Sequence, residues 1–193
     1  MKYEILKDDL NAYYKDFWAT RDEYHSYEEI IQVMNSLAFG HPSICEKHTY
    51  GTSVQGRELA ALKISDNVGT DEPEPEIGFD GGIHGDEIGG AENLIRFAEF
   101  LCTNYGSDPE ISNLIDTREI WLYIMVNPDG RVNMTRENAN GVDLNRDWGY
   151  MWDAWGGSPG AYSQPETKAL RNWMYENQFV VHTTYHSGTE ELV

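Results

Sequence analysis

The sequence predicts an α/β fold, a three-layer sandwich with a mixed central sheet. The chain has 193 residues and 40% of them are hydrophobic, which is enough for one domain with a sizeable core. Apolar runs of strand length alternate with stretches in which apolar residues recur at helical spacing. Two strands joined by a turn come first and strand–helix alternation follows. This order favours a sheet that is antiparallel at one edge and parallel in the middle.

The charge balance limits the classes of partner. Acidic residues number 33 and basic ones 14, and the formal net charge is −19. Because such a field repels nucleic acids and anionic membranes, we predict neither as a partner. No apolar run is long enough to span a membrane, and the N-terminus shows no signal peptide. Cys45 and Cys102 lie at predicted core positions, so two buried free thiols are favoured over a disulfide.

Helices are predicted at the start of the chain. Residues 1–23 are predicted to form an N-terminal helical extension, because apolar residues recur there at the spacing of one helix face. These residues are Leu10, Tyr13, Tyr14, Phe17 and Trp18. Ser26 and Glu29 have the spacing of a capping box, which predicts a second helix that ends near Gly40.

The later elements alternate between strands and helices. The predicted strands are 44–50, 57–64, 77–82, 119–126 and 179–185, and the first two form an antiparallel pair across a turn. Helices are predicted from Ile88 to about Gly106, over 109–114, and from a second capping box at Ser163–Glu166 to about Asn177. Residues 66–76 are a polar loop. The irregular stretch 131–162 is typical of a functional segment, and its aromatic content argues against disorder.

Three polar residues follow predicted strand ends, namely His84, Asn127 and His186. In α/β sheets, ligands bind outside the carboxyl ends of the strands. His84 and Glu87 are three residues apart, and an imidazole with a carboxylate suits a divalent metal, most readily zinc. The alternative is an unremarkable surface pair in a loop.

A catalytic zinc site needs a third protein ligand. His186 is well placed for this role, and His182 is its competitor. His182 lies four residues earlier in the same strand, roughly 13 Å farther back, so we expect it inside the sheet or packed under a helix. The remaining histidines are predicted on the surface; they are His25, His41 and His48.

Arg136 and Arg146 are candidate cations for a polarised carbonyl or a carboxylate. Asn145 and Arg146 in tandem could grip a carboxylate, with the guanidinium forking onto both oxygens and the amide adding one bond. The alternative for both arginines is a surface ion pair, and spacing alone does not decide between the two.

Five motifs in order carry a resemblance. They are His84–Glu87 (HGDE), Asn127–Gly130 (NPDG), Arg136–Arg146 (RENANGVDLNR), Ser163–Thr167 (SQPET) and His186–Ser187. In order and spacing they resemble the zinc metallocarboxypeptidase family, the carboxypeptidase A/B group. The resemblance runs from about Tyr24 onward and corresponds to the N-terminal part of the peptidase domain.

The resemblance implies a role for each matching residue. His84, Glu87 and His186 would bind one zinc ion, and Arg136 would stabilise the oxyanion. Asn145 and Arg146 would hold the C-terminal carboxylate of a peptide or protein substrate, whose last peptide bond is hydrolysed by a metal-activated water. Asp143 would accept a hydrogen bond from His84 and fix its tautomer. Arg131 is a rival to Arg136, which fits the family spacing better.

The sequence departs from the family after His186. The family's general-base glutamate, a mobile tyrosine and much of the specificity pocket follow the third metal ligand by a long stretch of sequence. We therefore expect residues 24–193 to form a carboxypeptidase domain that is incomplete at its C-terminus, with a truncated sheet. Neither Glu190 nor Glu191 is marked as a base by any motif.

Two further expectations follow from this departure. The alternative function is a fragment or pseudo-enzyme that binds zinc and a peptide C-terminus without hydrolysis. A sheet cut partway exposes an edge, so self-association is also expected. The compartment stays open, with a secreted or extracellular location suggested only by the resemblance.

Overall fold

The structure is a computed structural model that describes residues 24–150 and 152–187, and it contains a five-stranded sheet with helices around it. The helices are α1 Tyr27–Gly40, α2 Ile88–Asn104, α3 Pro109–Ile115, α4 Pro128–Asn133 and α5 Pro165–Glu176. The strands are β1 Cys45–Thr52, β2 Glu58–Ile64, β3 Glu76–Gly81, β4 Glu119–Tyr123 and β5 Phe179–Tyr185. Two short 3-10 turns cover Leu144–Arg146 and Ala154–Gly156.

The sheet is mixed, as predicted, with strand order β1-β2-β4-β3-β5. β1 pairs antiparallel with β2, and β2 antiparallel with β4. β3 runs parallel to both β4 and β5, with Ile77 beside Ile120 and Val181. The carboxyl ends of β3, β4 and β5 therefore meet at one edge of the sheet, and the chain continues from there to His84, Asn127 and His186.

Helices cover both faces of the sheet. Alternate residues of a strand point to opposite faces. Along β4, Ile120 and Leu122 pack in one buried cluster with α1, α2 and α3, while Trp121 and Tyr123 pack in a second cluster with Leu170 of α5. This helix–sheet–helix arrangement confirms the predicted three-layer sandwich.

The two predicted capping boxes have different outcomes. The one that begins α1 is confirmed, because Glu29 N donates to Ser26 Oγ and Ser26 N donates to Glu29 Oε2. The one at α5 is wrong, since Gln164 is the N-cap and its side chain makes no capping bond. Glu166 turns into the core instead and accepts from Val54 N and Asn138 Nδ2. A carboxylate that is fully buried must satisfy its oxygens there, and these donors outweigh a local cap.

α4 is an element that the sequence patterns do not predict. Asn127 to Gly130 were predicted only as the abrupt end of a strand. Asn127 instead caps a short helix, accepting from Gly130 N at 2.9 Å, and Pro128 occupies the first turn, where its missing N–H costs nothing. β4 is correspondingly shorter than predicted and ends at Tyr123.

Several other expectations can be compared with the described residues. Cys45 and Cys102 are buried free thiols, as predicted. β5 forms an edge of the described sheet, with Val180 67% and Val181 48% exposed. No helix in the described ranges is both long and apolar enough to cross a membrane. The predicted helical extension over 1–23 lies outside the described residues, so the domain division at residue 24 stays a prediction.

Candidate metal centre

The loop between β3 and α2 is packed tightly against α4. A Cβ on Gly85 would lie 2.0 Å from the carbonyl carbon of Gly130, so only glycine allows this approach. Asn127 Nδ2 donates to the carbonyls of Ile83 and Arg136, both at 3.3 Å. Asn127 therefore holds two neighbouring segments of the site in place without being a candidate ligand.

The loop brings His84 and Glu87 next to His186 from the end of β5. Nδ1 of His84 lies 2.8 Å from Glu87 Oε1, and Nδ1 of His186 lies 2.9 Å from Glu87 Oε2. The two imidazole centroids are 4.9 Å apart. One ligand atom from each of the three residues lies within 4.8 Å of the others. We call these three residues the metal cluster.

The donor chemistry of the metal cluster fits a divalent cation. Nε2 of His84 lies 3.0 Å from Asp143 Oδ1 while Nδ1 faces Glu87. A neutral imidazole has one N–H and cannot donate to both carboxylates. A cation on the Glu87 side would take the Nδ1 lone pair and leave the proton on Nε2 for Asp143. Two imidazole nitrogens and one carboxylate are a ligand set typical of zinc.

Both carboxylates at the cluster favour the ionised form. Burial works against ionisation of Glu87, but hydrogen bonds from the Ser187 backbone, His186 and His84 leave its pKa below the ordinary value. Burial likewise opposes ionisation of Asp143, yet contacts with His84 and Arg136 lower its pKa to about 2. Glu87 and Asp143 are therefore anions at neutral pH.

Asp143 also orients Arg136. Nε and Nη2 of Arg136 each lie 3.0 Å from Asp143 Oδ2, and Nη1 lies 3.4 Å from Glu87 Oε1. The Arg136 side chain is 38% exposed. One carboxylate thus fixes both a candidate metal ligand and a guanidinium that faces solvent.

Asn145 lies beside the metal cluster on the 3-10 turn Leu144–Arg146, and Arg146 is the last residue of that turn. Asp143 caps this turn by accepting from Asn145 N at 2.9 Å. Asn145 Nδ2 lies 3.4 Å from His186 Nε2, and Arg146 Nη1 donates to the Asn145 carbonyl at 3.2 Å. Both side chains are half-buried. We call Asn145 and Arg146 the carboxylate clamp.

The rival candidates make other contacts. His182 lies in β5, as expected, with Nε2 2.7 Å from Asp80 Oδ2 and its ring stacked on Tyr123. Arg131 Nη2 donates to the His25 carbonyl at 2.6 Å. Two further groups of potential ligands in the described ranges consist of carboxylates alone, and neither includes a predicted site residue.

The prediction of surface positions for three histidines is wrong, since His25, His41 and His48 are all partly buried. His25 Nδ1 lies 2.8 Å from Oε2 of Glu92, a buried residue of α2. His48 lies between the rings of Trp121 and Trp173, with centroids 5.0 and 5.8 Å away. Local sequence gave no signal of these contacts, because each joins segments far apart in the chain.

Comparison with known proteins assigns the family. The sequence profile described as zinc carboxypeptidase matches residues 30–193. The chain belongs to the zinc carboxypeptidase family. The resemblance carried by the five motifs is thereby confirmed, including its coverage of nearly the whole chain from the first described helix onward.

Relatives within the zinc carboxypeptidases are similar over most of this chain. Human carboxypeptidase D is 34% identical over 191 residues, which cover 91% of this chain and 13% of that protein. A zinc carboxypeptidase of Saccharothrix mutabilis subsp. capreolus is 36% identical over 156 residues, 74% of this chain and 36% of that protein. The chain thus spans well under half the length of these two relatives.

Solved carboxypeptidase structures share the fold. Thrombin activatable fibrinolysis inhibitor superposes with a TM-score of 0.78 at 23% identity, covering 86% of this chain and 48% of that one. The carboxypeptidase A from Helicoverpa armigera gives the same score at 24% identity, covering 86% and 46%. The mixed sheet with its helices therefore corresponds to about half of each of these carboxypeptidase chains.

Sequence reasoning missed three contacts that support this candidate site. Ser187 N donates to Glu87 Oε2 at 2.9 Å, and Asn127 braces the His84 loop. Trp155 covers the guanidinium of Arg146, with 5.2 Å between Cζ and the ring centroid. The motifs contained Asn127 and Ser187 but did not indicate these contacts, and nothing local marked Trp155.

Proposed function

We propose that this chain carries a site that binds one zinc ion and acts on the C-terminal peptide bond of peptides or proteins. The convergence of His84, Glu87 and His186 supports this proposal, because their ligand atoms approach from two strand ends and a helix start. Family membership supports zinc as the ion. When bound, the ion would polarise the scissile carbonyl and activate water for hydrolysis.

The carboxylate clamp gives the site its preference for chain ends. Arg146 can place two parallel N–H groups on a free C-terminal carboxylate, and Asn145 can add a third donor. An internal peptide group has no such anion, so binding there would leave the guanidinium without a partner. The half-buried position of both side chains next to the metal cluster supports this role.

Arg136 serves as the donor for the oxyanion that develops at the scissile carbonyl. Asp143 holds Nε and Nη2, which fixes the plane of the guanidinium. The contact of Nη1 with Glu87 is long, at 3.4 Å, so this nitrogen is the one available to a substrate oxygen. One well-placed donor of this kind contributes roughly 3–4 kcal/mol to transition-state stabilisation.

The second candidate function is binding of zinc and of a peptide C-terminus with little hydrolysis. Glu87 and Asp143, the carboxylates hydrogen-bonded within the site, already hold histidine and arginine partners. The family resemblance implies a general-base glutamate beyond position 193. We therefore propose that residues 1–193 alone hydrolyse peptides slowly, whereas a longer chain that contains this base is active and inhibited by chelators.

Metal analysis of paired variants tests the ligand assignment. We expect His186→Ala to lose bound zinc and His182→Ala, its neighbour in β5, to retain one ion per chain. Undiminished zinc in His186→Ala, with loss in His182→Ala, would assign the third ligand to His182 instead. Cleavage of a tripeptide with a free C-terminus, compared with its carboxamide, measures the hydrolytic activity.

The proposal that residues 1–193 hydrolyse peptides slowly is tested further at Glu190 and Glu191, the acidic residues that follow His186. Glu190 and Glu191 lie outside the described residues, so the double variant Glu190→Gln, Glu191→Gln is compared with the parent chain. Rapid hydrolysis that survives both substitutions would identify a base elsewhere and would contradict the binding-only alternative.

We further propose that the chain self-associates through β5. This edge strand presents unpaired backbone groups together with the exposed Val180 and Val181. Replacing Val181 with lysine should shift the chain toward a monomer in sedimentation velocity. A parent chain that is monomeric at the same concentrations would rule the association out.

A further inference from the structure

The guanidinium of Arg146 lies over an aromatic ring. Arg146 Cζ lies 5.2 Å from the centroid of the Trp155 ring, within the range of a cation–π contact. Trp155 is 74% exposed, so its ring is not held there as part of the core. A large apolar side chain on the surface beside a candidate carboxylate site requires another explanation.

The backbone that carries Trp155 is fixed against the turn that carries Arg146. Asp143 N donates to the Gly156 carbonyl at 2.9 Å. A Cβ on Gly156 would lie 2.3 Å from Cβ of Arg146, so the two turns pack with no room for a side chain. Trp155 N donates to Asp153 Oδ1 at 2.8 Å, which caps its own turn. The indole is therefore anchored at its backbone although its ring is exposed.

Arg146 Nη1 donates one N–H to the Asn145 carbonyl, and the other N–H groups of the guanidinium can bind a ligand. The N–H donors of arginine lie in the guanidinium plane, so a ring against its flat face does not compete with a carboxylate in that plane. A free arginine side chain loses considerable rotamer freedom when it binds a ligand. A ring that restricts the side chain beforehand reduces this loss and strengthens binding.

We propose that Trp155 is a positioning residue that holds Arg146 in the orientation that receives the C-terminal carboxylate of a peptide. This inference rests on the proposed function, because it assumes that Arg146 binds that carboxylate. Trp155 acts through Arg146 and makes no contact with the carboxylate itself.

Calorimetric titration of the zinc-loaded chain tests the role. The probes are acetyl-Ala-Ala-Phe and the same peptide with a C-terminal carboxamide. Trp155→Leu should bind the free acid about 3–10-fold more weakly, while Trp155→Phe stays within about twofold of the parent. Affinity for the carboxamide should not change in either variant. Tyr150→Leu, which removes another exposed aromatic side chain five residues away, is the matched control and should bind both probes as the parent does.

The outcomes separate this inference from the function on which it rests. If the parent chain and Arg146→Gln bind acid and amide alike, the carboxylate clamp fails and the inference fails with it. If the parent prefers the acid but Trp155→Leu keeps that preference in full, only the role of Trp155 is overturned. Equal weakening for acid and amide would mean that Trp155 contacts the peptide, which also contradicts a positioning role.

A second measurement examines the stack without any ligand or metal. Protons on the Arg146 side chain should show upfield ring-current shifts in NMR spectra of the parent chain. These shifts should disappear in Trp155→Leu and persist in Tyr150→Leu. Arg146 proton shifts that do not differ between the parent and Trp155→Leu would show that the stack does not form in solution and would overturn the inference.

Discussion

The metal cluster and the surroundings of Asp147 are both built on carboxylates, yet their partners differ in kind. Glu87 in the metal cluster faces two imidazoles, and Asp143 behind it faces an imidazole and a guanidinium. Asp147 is fully buried and accepts only from neutral groups. Its donors, which with Asp147 we call the loop anchor, are the hydroxyls of Ser158, Ser163 and Thr167 and the backbone N–H groups of Ser163 and Gln164.

This difference distinguishes a candidate ligand-binding site from a hydrogen-bond network that only supports the fold. In the loop anchor, the Asp147 carboxylate accepts its hydrogen bonds from residues 158–167. These bonds hold the irregular segment against the start of α5. The imidazoles and the carboxylate of the metal cluster can give up their contacts with one another and bind a cation or a substrate instead. Part of the cluster is exposed to solvent. A buried charge whose hydrogen bonds are complete stabilises a fold, whereas convergent ionisable groups with alternative partners suit chemistry.

Metal affinity is the property in which substitutions in the metal cluster and in the loop anchor should differ most. His84→Ala and His186→Ala should each weaken zinc binding on the order of 1000-fold, because either change removes one of three protein ligands. In the metal-free protein His84→Ala should also lower the free energy of unfolding by about 1–3 kcal/mol, since Glu87 and Asp143 each lose one hydrogen-bond partner. His186→Ala should cost about 0.5 kcal/mol or less. Competition with a chromophoric chelator and urea unfolding measure the two effects.

The loop anchor should show the reverse pattern. Asp147→Ala should lower the free energy of unfolding by about 3 kcal/mol, because several buried donors lose their acceptor at once. Zinc should remain at one ion per chain in the folded variant. Asp153→Ala, an exposed carboxylate in the same segment, is the control for local effects. Loss of zinc in proportion to stability would show that the two regions are not separate.

Asp143 contacts a candidate metal ligand without belonging to the metal cluster. Its substitution should therefore lower zinc affinity less than removal of a ligand does. Asp143→Asn keeps the size of the side chain but weakens its hold on the His84 imidazole, so zinc affinity should fall about 10–100-fold. The free energy of unfolding should change less than for Asp147→Ala. An affinity equal to that of the parent would mean that Asp143 does not orient the metal ligand. Asp153→Asn is the matched control.

The smallest effect is expected in the pH dependence of stability. Burial opposes ionisation of Asp147, but its hydroxyl and amide donors keep its pKa below the ordinary value. A group with a lowered pKa stabilises the fold above its unfolded pKa of about 4, and this contribution is lost as the pH falls through the folded pKa. The stability difference between the parent and Asp147→Asn should therefore shrink below about pH 4 in urea titrations.

Glu166 serves as a control, because the pH dependence of its contribution to stability has the opposite sign. Burial raises its pKa, so its contribution is present below the unfolded pKa of about 4.3 and is lost as the pH rises through the folded pKa. The parent should therefore gain stability relative to Glu166→Gln as the solution is acidified. The same trend for both carboxylates would contradict the assigned partners of Asp147.

The amino-acid sequence alone predicted the fold class and singled out the residues of the candidate site. Apolar periodicity predicted both the antiparallel pair β1–β2 and the long helix α2, because these patterns report which face of an element is buried. The motif order predicted the family and singled out the residues that the structure then brings together at the strand ends, from His84 to His186.

Contacts between distant segments of the chain could not be predicted from local sequence patterns. The local pattern predicted a capping box at Ser163, but Glu166 is buried and accepts from Val54 N instead. It also predicted a surface position for His25, which instead contacts the buried carboxylate of Glu92. The support of Arg146 by Trp155 was equally invisible, since it arises where two irregular turns pack together. Periodicity records burial along one element, whereas the partner of a polar side chain is set by whichever donor or acceptor the folded chain places beside it.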